Sequence, residues 1–164
     1  MFKKLIPDFY YDNIACIDLE KLKSRGIEYV ICDLDNTLDS HRQKTPSKSA
    51  LNFLNSLKEA GFNVCIISNG KHERVAEYLQ KYPLKATAKA GKPLKKSYVK
   101  AMTEIGADAK KTAFIGDQIF TDILGANRVG LTTILVTPIE SIENPFFYLK
   151  RALEKAVKSK ITKE

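Results

Sequence analysis

Acidic side chains recur in pairs along this chain, Asp33 with Asp35 and Asp117 with Asp122. In an extended strand, residues two apart point the same way, so Asp33 and Asp35 converge at the end of the apolar run over residues 28–33. Two carboxylates held together repel unless a cation intervenes. A hard divalent cation such as Mg²⁺, which takes oxygen ligands, meets that need. Asp117 and Asp122 follow another apolar run, residues 112–117. Ser68-Asn69-Gly70 ends a further run, and Lys92 stands directly before a predicted helix. Acids for a metal, with a hydroxyl and an ammonium for a phosphate, make a set suited to phosphoryl transfer. One Asp can then act as the nucleophile.

The elements that must position these groups alternate between strand and helix. Short apolar runs at 28–33, 62–68, 112–117 and 132–137, with a weaker one at 85–88, suit strands buried on both faces of a parallel sheet. Between them, residues 47–60 carry Leu51, Leu54, Leu57 and Ala60 at helical spacing and stop at Gly61. Residues 72–81 carry Val75, Tyr78 and Leu79. Residues 93–105 open at Pro93 and carry Leu94, Tyr98, Met102 and Ile105, and a shorter helix is expected over 120–128. The pattern predicts an α/β fold, a doubly wound three-layer sandwich on a mainly parallel sheet, with ligands beyond the carboxyl ends of the strands. The flank 1–26 reads as one or two helical turns ending at Gly26, and 138–144 as a loop. An amphipathic helix is expected over 145–159. It has Phe146, Leu149, Leu153, Ala156 and Val157 on one side and Lys150, Arg151, Lys155 and Lys158 over the remainder.

The runs DLDNTL, Ser68-Asn69-Gly70, Lys92-Pro93 and GDQIFTDILGANRVG resemble the four motifs of the haloacid dehalogenase (HAD) superfamily, in order and across most of the chain. DNTLDS, GDQIFTDILGANR and the length resemble more closely the YqeG-type phosphatases of subclass IIIA, related to mitochondrial phosphatidylglycerophosphate phosphatases. The resemblance implies a Mg²⁺-dependent phosphatase in which Asp33 is phosphorylated and Asp35 serves as general acid and then base. It implies metal ligation by the Asp33 carboxylate, the Asp35 main-chain carbonyl and Asp117, with Asp122 in support, and phosphate binding by Ser68, Asn69 and Lys92. Members of the family often carry a cap domain between the motifs. Here the intervals Asp33–Ser68 and Ser68–Lys92 hold little more than a loop and a helix each, so a capless, open site is expected.

Simpler roles compete at several positions. Asp122 could cap a helix. Lys89, Lys95 and Lys96 compete with Lys92, although the proline after Lys92 favours it. His41 and His72 read as surface residues near the motifs and belong to no metal-spacing pattern.

Composition limits the partners. The chain has 164 residues and a formal net charge of +8. The length predicts a single domain over 1–164. The charge favours anionic partners: a phosphorylated substrate, an anionic phospholipid met through the basic C-terminal helix, or nucleic acid. No apolar run approaches a membrane span, and no signal peptide is evident, so a cytoplasmic location is expected, with peripheral contact at the inner face of the membrane. Cys32 and Cys65 fall in strand-like runs and no pair has CxxC spacing, which argues against zinc. The leading function is phosphomonoester hydrolysis, with phosphatidylglycerophosphate as the substrate by resemblance. A phosphatase of soluble metabolites or nucleic-acid ends stays open, as does a non-catalytic RNA- or ribosome-associated binding protein.

Overall fold

The computed structural model of the protein describes residues 2–140 and residue 155. The helix expected over 145–159 otherwise lies outside the described residues. Among the described residues six strands form one sheet: β1 (Phe9–Tyr11), β2 (Tyr29–Cys32), β3 (Asn63–Ile67), β4 (Lys85–Thr87), β5 (Thr112–Gly116) and β6 (Thr132–Val136). They pair in the order β1-β6-β5-β2-β3-β4, and every pairing is parallel. Within residues 2–140 the α-helices are α1 (Leu19–Ser24), α2 (Lys48–Glu59), α3 (His72–Leu79), α4 (Lys95–Glu104) and α5 (Leu124–Arg128).

Alternation along the central strands sorts the core into two layers. Val30 and Cys32 of β2, Ile66 of β3, and Ala113 and Ile115 of β5 pack with Phe53, Leu54 and Leu57 of α2 and Val75 and Tyr78 of α3. Ile31, Cys65, Ile67 and Phe114 face the other way, onto Tyr98, Ala101 and Met102 of α4 and Ala126 of α5. Parallel strands need crossover helices, and helices on both sides leave the strands no solvent face. The expected three-layer α/β sandwich is therefore what forms.

Local chemistry sets the helix limits. Ser47 caps α2 by accepting from the Ala50 amide at 3.1 Å, and Gly61, at φ +88°, turns the chain off its far end. The buried stripe of α2 is Ala50, Phe53, Leu54 and Leu57, shifted from the expected Leu51 series. Emptying the Leu57 site by Leu57→Ala costs about 2–5 kcal/mol.

Two expectations need correction. The N-terminal flank contains not only helical turns but also the edge strand β1, held on β6. The helix expected from Pro93 begins instead at Lys95. Leu94 precedes it and is exposed, and the Lys92–Pro93 peptide is cis. Both cysteines in strands are buried, as expected.

Candidate active site

From β2 the chain builds β3 and then β4 on one side of it, and later returns to place β5 on the other. The carboxyl ends of β2 and β5 therefore flank the point where the winding reverses, where such sheets bind ligands. Asp33 and Asp117 each follow the last residue of one of these strands. The Asp33 amide donates to the Ile115 carbonyl at 2.9 Å, which extends the sheet ladder and fixes the backbone under its side chain.

Asp122 joins them from a single π-helical turn, Ile119–Ile123. Its Oδ2 accepts from the Gln118 amide at 3.0 Å, so the carboxylate folds back over its own turn. Gly116 makes room: a Cβ there would lie 2.5 Å from the Asp122 Cβ. One ligand oxygen from each of Asp33, Asp117 and Asp122 falls within 4.8 Å of the others, and all three residues are buried.

Lys92 enters this cluster from the loop after β4. Its ammonium donates to Asp33 Oδ1 at 2.5 Å and to Asp122 Oδ1 at 2.7 Å. Thr37 Oγ1 lies 3.0 Å from Asp33 Oδ2 and 3.2 Å from Asp117 Oδ1, so its single proton serves one or the other. Three buried carboxylates thus meet one buried ammonium. Burial, with Asp122 and Asp33 beside it, holds the Asp117 carboxyl well above the usual range, against the opposing pull of Lys92. Burial likewise pushes Asp122 up to about 6, although Lys92 counteracts it. For Lys92, burial disfavours the charge, yet Asp122 and Asp33 outweigh it and raise its pKa. This charge balance leaves room for a cation.

Ser68 directly follows β3, is buried, and its Oγ accepts from the Gly70 amide at 2.9 Å. Asn69 acts between loops. Its Oδ1 accepts from the Lys92 amide at 2.8 Å and its Nδ2 donates to the Lys92 carbonyl at 3.4 Å, so its side chain ties the Ser68 loop to the Lys92 loop. Asp35 stands apart from the acid cluster: its Oδ1 accepts from Arg74 Nη2 of α3 at 3.0 Å. His41 lies half-exposed, with Nδ1 3.6 Å from Glu140, and His72 is the exposed first residue of α3. Between Asp33 and Ser68 the structure has a loop, α2 and β3, and between Ser68 and Lys92 it has α3 and β4. No cap stands in either interval.

Two residues at this site, Thr37 and Arg74, escaped the sequence reading. Thr37 sits inside DLDNTL, and its spacing of four from Asp33 was the available signal. Arg74 had none beyond sharing a helix with buried Val75 and Tyr78.

With this geometry in place, comparison with known proteins becomes specific. A model of the family described as haloacid dehalogenase-like hydrolase matches residues 11–130. The probable phosphatase YqeG of Bacillus subtilis (strain 168) is 33% identical over 165 residues, taking in 100% of this chain and 96% of that protein. Phosphatidylglycerophosphate phosphatase 1, chloroplastic/mitochondrial, of Arabidopsis thaliana is 25% identical over 175 residues, which cover 94% of this chain and 50% of that longer protein. In fold, the chain is similar to the cobalt-bound deoxy-D-mannose-octulosonate 8-phosphate phosphatase of Haemophilus influenzae. That likeness has a TM-score of 0.56 and 19% identity, over 79% of this chain and 77% of that one. The chain belongs to the haloacid dehalogenase-like hydrolases, and within them it is a phosphatase.

Proposed function

We propose that this phosphatase hydrolyses phosphomonoesters by way of a phosphorylated Asp33 and needs Mg²⁺ to do so. One observation carries the reading: Asp33, Asp117 and Asp122 bring ligand oxygens within 4.8 Å of one another in a buried site that a single lysine does not neutralise. Oxygen donors of like charge fit a hard divalent cation. Asp33, Asp117 and Asp122 would hold it, with the Asp35 main-chain carbonyl. When bound, the ion supplies positive charge against the carboxylates and the phosphoryl oxygens.

The residues then divide the work. Ser68 and Lys92 bind the phosphoryl group. An Asp33 carboxylate oxygen attacks phosphorus, the ester P–O bond breaks, and Asp35 gives the departing oxygen its proton. Water next attacks the phosphorus, Asp35 takes the proton back, and the bond to Asp33 breaks to leave inorganic phosphate and the free carboxylate.

The substrate we propose is phosphatidylglycerophosphate, met at an anionic membrane surface. The name of the Arabidopsis relative, the net charge of +8 and the uncapped approach to the site support it. Among the described residues no helix is long and apolar enough to cross a membrane, so contact would be peripheral. Each Lys or Arg near such a surface contributes about 1 kcal/mol. Phosphate release should be far faster from phosphatidylglycerophosphate in mixed micelles than from soluble sugar phosphates. Replacing Lys150, Arg151, Lys155 and Lys158 with Gln should weaken that preference. A soluble ester or a nucleic-acid end with the higher kcat/KM would replace the lipid as substrate. Absence of turnover on every phosphomonoester, with Mg²⁺ present, would leave only a binding role.

A further inference from the structure

We infer that Arg74 is a positioning residue that holds the Asp35 carboxylate in its proton-delivering orientation. The inference rests on the acid/base role proposed for Asp35. The geometry distinguishes the two oxygens of that carboxylate. Oδ1 is fixed by Arg74 Nη2 at 3.0 Å. Oδ2 faces Gly70, where a Cβ would lie 3.3 Å from it and 3.0 Å from Ser68 Oγ. The bare glycine therefore lets Asp35 Oδ2 and the phosphate-binding hydroxyl flank the same small space. One oxygen is tethered and the other is presented.

Arg74 is built for holding. Its guanidinium lies over the Tyr78 ring at 5.2 Å, one helical turn along α3. The same Nη2 donates to the Ser40 carbonyl at 3.5 Å, so its hydrogen bonds go to the loop that carries Asp35. Nε and Nη1 are buried and have no hydrogen-bond partner among the described residues. Tyr78 completes the attachment by donating to Asp39 Oδ2 at 2.5 Å, and Asp39 also accepts from the Ser47 amide at 2.9 Å. One face of α3 thus fastens the loop at Asp35, Asp39 and Ser40. When Asp35 hands over its proton it gains negative charge, and a guanidinium at 3.0 Å stabilises that charge as it develops.

This role predicts a dependence on the leaving group that a merely structural residue would not show. Nitrophenolate departs without a proton, whereas benzyl alkoxide needs one. The quantity kcat/KM reports the chemistry up to leaving-group departure. The experiment compares wild type, Arg74→Gln and Arg74→Lys on 4-nitrophenyl phosphate and benzyl phosphate, with thermal melting to confirm folding. In Arg74→Gln, kcat/KM for benzyl phosphate should fall at least about tenfold further than for 4-nitrophenyl phosphate, since general acid catalysis contributes 10²–10⁴-fold. Arg74→Lys, which keeps the cation, should restore most of that difference. Equal losses on both esters, or no loss on either, would overturn the inference while leaving the phosphatase reading intact. A wild-type enzyme that cleaves neither ester would refute the reading itself, and this inference with it.

Discussion

The two halves of the site balance charge differently. On one side, Asp33, Asp117 and Asp122 share a single ammonium. On the other, Asp35 pairs with Arg74. The first half is buried and electrostatically incomplete, and Asp117 and Asp122 are pushed toward the protonated form. The second is partly open and already neutralised. In the proposed mechanism, the contrast separates a region that takes an ion from one that keeps a side chain aimed.

The largest effect that could break this contrast is loss of the nucleophile. Asp33→Asn should lower kcat on the order of a thousandfold or more, because the proposed nucleophile and metal ligand are one residue. Phosphate release measures it, and mass spectrometry of acid-quenched enzyme should find phosphate on the Asp33 peptide of wild type only. Asp35→Asn removes the proposed proton carrier, and its loss should be on the order of a hundredfold or more for benzyl phosphate. Near-normal rates in either variant would reassign the roles.

Next comes the ion. Activity should vanish with a chelator and return with Mg²⁺, and Asp117→Ala should raise the Mg²⁺ needed for half-maximal rate by about tenfold or more. Neither should depend on Arg74. If Arg74→Gln shifted the Mg²⁺ requirement as much as Asp117→Ala does, the division into two halves would be wrong.

A gentler test reads stability against pH. Asp122 titrates near 6 in the fold, above its ordinary value of 3.8. Between those values the folded protein binds more protons than the unfolded chain, so this group makes stability fall as pH rises through the window. Above it the ionised acids remain crowded, and a bound cation relieves them. Mg²⁺ at about a hundred times its Kd adds about 2.7 kcal/mol. The rise in Tm should therefore be clear at about pH 7.5 and much smaller at about pH 5, where Asp122 keeps its proton and competes with the ion. An equal rise at both would remove Asp122 from the ligand set.

The smallest effect belongs to the loop fastening. Tyr78→Phe deletes the bond to buried Asp39 and should cost about 1–3 kcal/mol in denaturant unfolding. It should leave the benzyl-to-nitrophenyl ratio where it stands in wild type. A shift in that ratio would extend the positioning role from Arg74 to Tyr78.

Much of this was legible because the strands are central and buried. Continuous apolar runs such as Val30–Cys32 and Ala113–Ile115 mark them, and the acids stand directly at their ends. What escaped has physical reasons. β1 is three residues long, and Pro7 and Asp8 before it read as a break, although Asp8 Oδ2 accepts from the Thr133 amide at 2.7 Å. Pro93 looked like a helix start, but helix formation waits two residues, until Lys95. The tie from Asn69 to the Lys92 main chain had no signal, because nothing in the sequence brings the two together across 23 residues. Arg74 lies on the same kind of amphipathic helix as any surface arginine, and only folding brings it across 39 residues to Asp35.

The tie between β1 and β6 also has a history on the ribosome. Asp8 and Thr133 are 125 residues apart in the chain. At 5–20 residues per second, synthesis leaves roughly 6 to 25 s between them. Throughout that interval Phe9–Tyr11 has no β6 to pair with. Nascent chains should therefore expose Phe9–Tyr11 to protease, and lose that sensitivity only when β6 emerges.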